Sequence, residues 1–173
     1  MTGLLPLLLF AVAAQGATQL SLTTLGAVRQ SSDSATTTTA AKAVDGSTSS
    51  FATTQNLTNI WWEVELGTSH TLTRIEIVNT TATPARLAGL TVRVQDIPDH
   101  TVYTTTTTDP GSGGTWSVDL PASLRGRIVR IGLEGGAVNG AGDRVVALAE
   151  VKVYGDPILL NASPALTDAY TVT

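Results

Sequence analysis

Trp61-Trp62-Glu63-Val64-Glu65-Leu66-Gly67 is the stretch from which the fold is read. Trp62, Val64 and Leu66 fall on alternate positions, with Glu63 and Glu65 between them. That is the period of a pleated strand with one face buried. Trp62 is in step with the aliphatic residues, which makes it the core candidate, and an indole supplies much of a domain's burial. Trp61 then points the other way, either as a stacking platform at a loop mouth or as a second packing contact. The glutamates read as an outward, solvated face, and so does Glu76 further on.

The same period recurs along the chain. Thr73, Ile75 and Ile77 alternate with Arg74 and Glu76, and Val92 and Val94 alternate with Thr91, Arg93 and Gln95. Val102-Tyr103 and Thr104–Thr108 follow; β-branched threonine suits a strand better than a helix, where its χ1 freedom is lost. Asp109-Pro110-Gly111-Ser112-Gly113-Gly114 is a strong turn signal. Beyond it come Trp116-Ser117-Val118, Ile128 to Leu133, and Val145 to Tyr154. Short strands separated by Gly, Pro, Asp and Ser predict an all-β sandwich or barrel. Helical signal is confined to single turns at Ala40–Val44 and Pro121–Arg125. Asp156-Pro157 is expected to break the last strand, leaving 156–173 as an apolar C-terminal tail.

Composition narrows the function. The 173 residues are 42% hydrophobic and only 14% charged, with a net charge of −4. No Lys/Arg cluster tracks a phosphate backbone, so nucleic acid is not an expected partner. With no cysteine, disulfides, thiol nucleophiles and Cys-zinc sites all drop out. There is no Gly-x-Ser-x-Gly and no histidine pair with zinc spacing, so no enzyme is expected. His70 and His100 read as solvated residues beside turns.

Leu4 to Ala14 is an apolar run followed by small residues, the pattern of a secretory signal peptide over residues 1–19; the other reading is a buried N-terminal element. The run is shorter than the ~20 residues that span a bilayer. The chain is therefore expected to be secreted, with no membrane span and with one domain over 20–155.

Four segments occur in a telling order. Ala43-Val44-Asp45-Gly46 comes first, then the tandem-tryptophan strand. Ile75-Glu76-Ile77-Val78-Asn79 is third, and Arg127-Ile128-Val129-Arg130-Ile131 with Ala149-Glu150-Val151-Lys152-Val153-Tyr154-Gly155 closes the series. This order resembles the discoidin, or coagulation-factor C-type, domains and the related F-type lectins (fucolectins) over roughly residues 24 to 155. The resemblance implies a jelly-roll β-sandwich of the galactose-binding type, with its ligand site on the loops at one end.

The resemblance also implies sites. In the lectins a calcium ion can clamp the first loop. The matching positions are Asp45 and Glu150, with carbonyls near Lys42, Ser47 and Thr53; a hard cation takes several such oxygens. The other reading has Asp45 capping its own turn, and Gly46 suits a positive φ there. The fucose pattern of a first-loop His followed by Arg-x-Asp is not kept: only Arg86 survives, so ordinary fucose binding is not expected. Arg86, Trp61 and Thr54 are the candidate ligand contacts. N-glycosylation sequons stand at Asn56, Asn79 and Asn161.

The leading expectation is a non-enzymatic recognition domain binding glycans or glycoproteins through loops 47–59 and 80–89. The alternative is a structural subunit of a matrix, coat or filament, assembling into homo-oligomers through residues 156–173.

Overall fold

A computed structural model describes residues 18–158. Residues 1–17, which hold most of the expected signal peptide, together with Asn161 and most of the expected tail, lie outside the described residues. No helix among those described is long and apolar enough to cross a membrane.

The fold is an antiparallel β-sandwich. Strand β1 (Ala27–Gln30) and the short β2 (Ala52–Thr53) lead to β3 (Trp61–Val78), which runs through both layers. The chain continues through β4 (Thr91–Ile97), β5 (His100–Thr106), β6 (Thr115–Asp119), β7 (Arg125–Gly132), the short β8 (Ala147–Leu148) and β9 (Glu150–Pro157). The front layer has the order β1-β3-β7-β4-β5. It uses the first half of β3, where Trp61 to Glu65 pair with β7. The second half of β3 pairs with β6 and β9 to make the back layer. The change of layer falls at an irregularity between Glu65 and His70, where Gly67 takes a φ of 75°.

Alternation places the core as expected. Trp62, Val64, Leu66, Val92, Val94, Val129 and Ile131 face inward from the front layer. They meet Ile75, Ile77, Trp116, Val151 and Val153 from the back in one buried cluster. Trp62 is fully buried, and its indole N–H donates to the Ala40 carbonyl at 2.9 Å. That carbonyl belongs to a 3-10 turn at Ala40–Ala43, one of the two single turns expected. The other, at Pro121, is a tight turn closed by Leu124 N–H on the Pro121 carbonyl, with β7 beginning at Arg125.

Several expectations at the chain's margins and on its outer face need correction. Asp156-Pro157 does not break β9: Asp156 pairs with Thr71 and Pro157 with His70. Proline is tolerated there because it is the strand's terminal residue. At the other end, Gly155 N–H donates to the Thr18 carbonyl and Leu20 N–H to the Val153 carbonyl, so the folded unit takes in residues before 20. His70 is not solvated. It is 2% exposed, and its Nδ1 lies 2.8 Å from the Thr68 carbonyl. Glu63 is likewise not on a solvated face, for a reason set by the sheet's register.

Candidate functional site

The register of the front layer aligns one row of outward side chains across four strands. Arg29 of β1 pairs with Glu63 of β3, Glu63 with Arg130 of β7, and Arg130 with Arg93 of β4. Glu63 is completely buried beneath its neighbours. Its Oε1 accepts Arg29 Nε at 2.9 Å and Nη2 at 2.6 Å, and its Oε2 accepts Arg130 Nε at 2.6 Å. A buried carboxylate is tolerated when its lone pairs are filled by charged donors in this way. The Arg130 guanidinium lies 4.9 Å from the centroid of the Trp61 ring, a cation–π distance.

One row further toward the loops, Trp61, Gly132 and Thr91 lie side by side. They are the first residue of β3, the last of β7 and the first of β4. A Cβ at position 132 would come within 2.3 Å of the Ile60 carbonyl and 2.9 Å of Trp61 Cβ, so only glycine lets the two strands close here. Above this row opens a cleft of about 490 Å³, bordered by Asn59, Trp61, Arg93, Arg130, Gly132 and Glu134. Glu134 reaches in from the loop after β7 and holds Arg93 with both carboxylate oxygens, Oε2 on Nη2 at 2.7 Å. Asn59 holds that loop by accepting the Gly135 N–H at 3.0 Å. An indole with guanidinium and amide groups around it can pack on an apolar ring face and hydrogen-bond its substituents.

Of the expected ligand contacts, only Trp61 belongs to this cleft. Thr54 is 1% exposed: its N–H donates to the Val146 carbonyl and its hydroxyl accepts the Val146 N–H, both at 3.0 Å. It fastens two segments and does not border the cleft. Arg86 is paired with Asp143, Nε–Oδ2 2.8 Å and Nη2–Oδ2 2.7 Å. That pair ties the 84–86 turn to the loop before β8. Arg93, Arg130 and Glu134 were not singled out from sequence; the signal available was the Arg127-x-x-Arg130 spacing, which says nothing about partners on other strands.

Glu150 lies against the Asp45-Gly46 turn. Gly46, at φ 78°, donates its N–H to Glu150 Oε2 at 3.2 Å. The groups around them fit an internal clamp better than a divalent ion. Lys42 Nζ sits 3.2 Å from Asp45 Oδ2; Asp45 Oδ1 accepts the Ser47 N–H at 3.0 Å, and the Ser50 hydroxyl lies 2.7 Å from Oδ2. Thr53's carbonyl is taken by the Ser34 N–H and the Gln30 amide. Among the described residues, no three of His, Cys, Asp and Glu gather as a metal site. An ammonium where a hard cation would need oxygen ligands opposes binding. The Ser50 hydrogen bond holds the Asp45 carboxyl below its usual range, while burial pushes the Glu150 carboxyl up and the nearby Asp45 charge adds to this.

The sequons also separate. Asn79 is 1% exposed, and its amide nitrogen donates to the carbonyls of Pro84 at 3.0 Å and Gly111 at 2.9 Å. That nitrogen is the atom a glycan would occupy, and in the fold it is buried and bonded to two carbonyls. Asn56 is exposed on the loop before β3 and accepts the Arg144 N–H through Oδ1.

With this geometry the chain has clear relatives. A fucose-binding module of Streptococcus pneumoniae, SpX-3, is 30% identical, aligns over 78% of this chain and 97% of its own, and superposes with a TM-score of 0.64. A fucolectin from striped bass (Morone saxatilis) serum is 24% identical over 81% of this chain, with a TM-score of 0.67; this chain spans about half of it, 48%. A family 32 carbohydrate-binding module of C. perfringens NanJ, solved with galactose, shares the fold at 17% identity, covering 80% of this chain and 98% of its own, with a TM-score of 0.64. Among curated proteins, none matches the chain. The family model for the NedA-like, galactose-binding domain of the F5/F8 type C group matches residues 42–131, and this chain belongs to that family.

Proposed function

We propose that this domain is a secreted, non-enzymatic recognition module that binds a glycan in the cleft beside Trp61. The observation that carries the reading is the cleft itself. Its volume of about 490 Å³ falls in the range of small-molecule sites. It combines an indole, two guanidiniums and a side-chain amide at the loop end of the front layer. Family membership supports the ligand class, since solved relatives include fucose-binding modules and a module holding galactose.

The chemistry in place favours recognition over turnover. His70 is buried against a backbone carbonyl, and His100 pairs with Asp96 on the exposed β4–β5 hairpin. Neither faces the cleft. Glu63 is fully buried with both oxygens engaged by arginine, so it is not open to a ligand. The proposed contact set keeps Asn59 from the expected 47–59 loop and otherwise lies on the ends of β3, β4 and β7 and on the loop carrying Glu134. Trp61→Ala tests the assignment: glycan-array binding by wild type, lost in the variant while its melting temperature holds, supports it. Undiminished binding by the variant refutes it.

A further inference from the structure

The two carboxylates beside the cleft do different jobs. Glu63 lies in the sheet, is fully buried, and pairs with both Arg29 and Arg130. Glu134 lies on a loop, its side chain is 57% exposed, and it serves Arg93 alone. Directly after it come Gly135 and Gly136, with φ of 59° and 81° and open space where their side chains would stand. Glu134 is thus an exposed carboxylate on a glycine-flanked loop, held on a guanidinium that faces a cleft. An exposed ion pair is a weak tether, because water competes for both partners.

Deepening the glycan reading, on which this rests, we infer that the cleft takes a saccharide bearing a carboxylate, a hexuronate, and that Glu134 occupies the position of that carboxylate until the ligand displaces it. The contact of both Glu134 oxygens with the two terminal nitrogens of Arg93 is of the kind a uronate carboxylate makes with a guanidinium. With Glu134 swung out, Arg29, Arg130 and Arg93 stand against Glu63 alone. The cleft then carries positive charge on a protein whose net charge is −4. Trp61, beside Arg130, supplies the surface for the sugar ring.

Calorimetric titration of the whole chain with a glucuronate-containing oligosaccharide, its neutral glucose counterpart and a sulfated counterpart tests this. Wild type is expected to prefer the uronate at least about fivefold over the neutral sugar. Glu134→Gln is expected to tighten uronate binding by about two- to fivefold, by removing the internal competitor. Arg93→Gln is expected to abolish the preference. Equal affinity for uronate and neutral sugar, with both lost in Trp61→Ala, overturns the carboxylate assignment and leaves the glycan reading standing. Tighter binding of the sulfated sugar overturns it as well, as does a Glu134→Gln variant with unchanged uronate affinity. Failure of wild type to bind any sugar overturns both readings.

Discussion

Replacing Glu63 with Gln is the perturbation on which the outer face turns. The carboxylate is wholly buried and takes guanidinium N–H groups on both oxygens, from strands on either side of it. Glutamine keeps the volume and one carbonyl acceptor, but turns an NH2 group toward one of the arginines. Breaking a fully buried ion pair costs ~3–5 kcal/mol, because the partner is left charged and dry. Here the partners are better placed: the side chains of Arg29 and Arg130 are 56% and 26% exposed. Water recovers much of their solvation, which brings the expected cost to about 2–3 kcal/mol. For a domain of this size that is a fall in Tm of about 5–10 °C. Thermal and urea unfolding of Glu63→Gln and of Asp119→Asn, side by side, make the assay. Asp119 pairs with Arg74 but is 81% exposed, so its loss is expected to cost about 0.5 kcal/mol or less. If the two variants lose the same small amount, the Arg29–Glu63–Arg130 row is not a structural unit, and the reasoning that ties it to the cleft fails.

Other outcomes follow from the same geometry. Asn79→Ala strands the Pro84 and Gly111 carbonyls inside the fold and is expected to cost about 2–3 kcal/mol by urea unfolding; mass spectrometry of secreted protein should find no glycan at Asn79. EDTA or millimolar calcium is expected to leave the wild-type Tm unchanged, while Lys42→Ala, which removes the cation on Asp45, lowers it by a few degrees at most, as suits an exposed pair. A calcium-dependent rise in the wild-type Tm contradicts the clamp. Glu150 has a folded-state pKa raised above its ordinary 4.5, chiefly by burial. The folded state therefore holds this proton more tightly, and this residue's contribution is present at low pH and lost as pH rises through the window just above 4.5. Glu150→Gln is expected to gain stability relative to wild type across that window; a gap in Tm that does not change with pH refutes the assignment.

The alternation in 61–66, 73–77 and 92–94 was enough to set strand positions, inward faces and the central place of Trp62, because side-chain direction in a strand depends only on the local pleat. Gly46 at its turn was legible from local backbone demands, and the nearness of the Asp45-Gly46 turn to Glu150 followed from the resemblance to the F-type lectins. What tertiary structure alone decided was which outward residues stay wet. Glu63 is buried because the register puts Arg29 and Arg130 on either side of it. Thr54 and Asn79 are buried because distant loops take their polar groups, and Arg86 is spent on Asp143. The cleft itself exists where the ends of β3, β7 and β4 meet a loop carrying Glu134. Each of these depends on pairings between residues far apart in the chain, and a period of two along a single strand carries no information about which strand lies next to it.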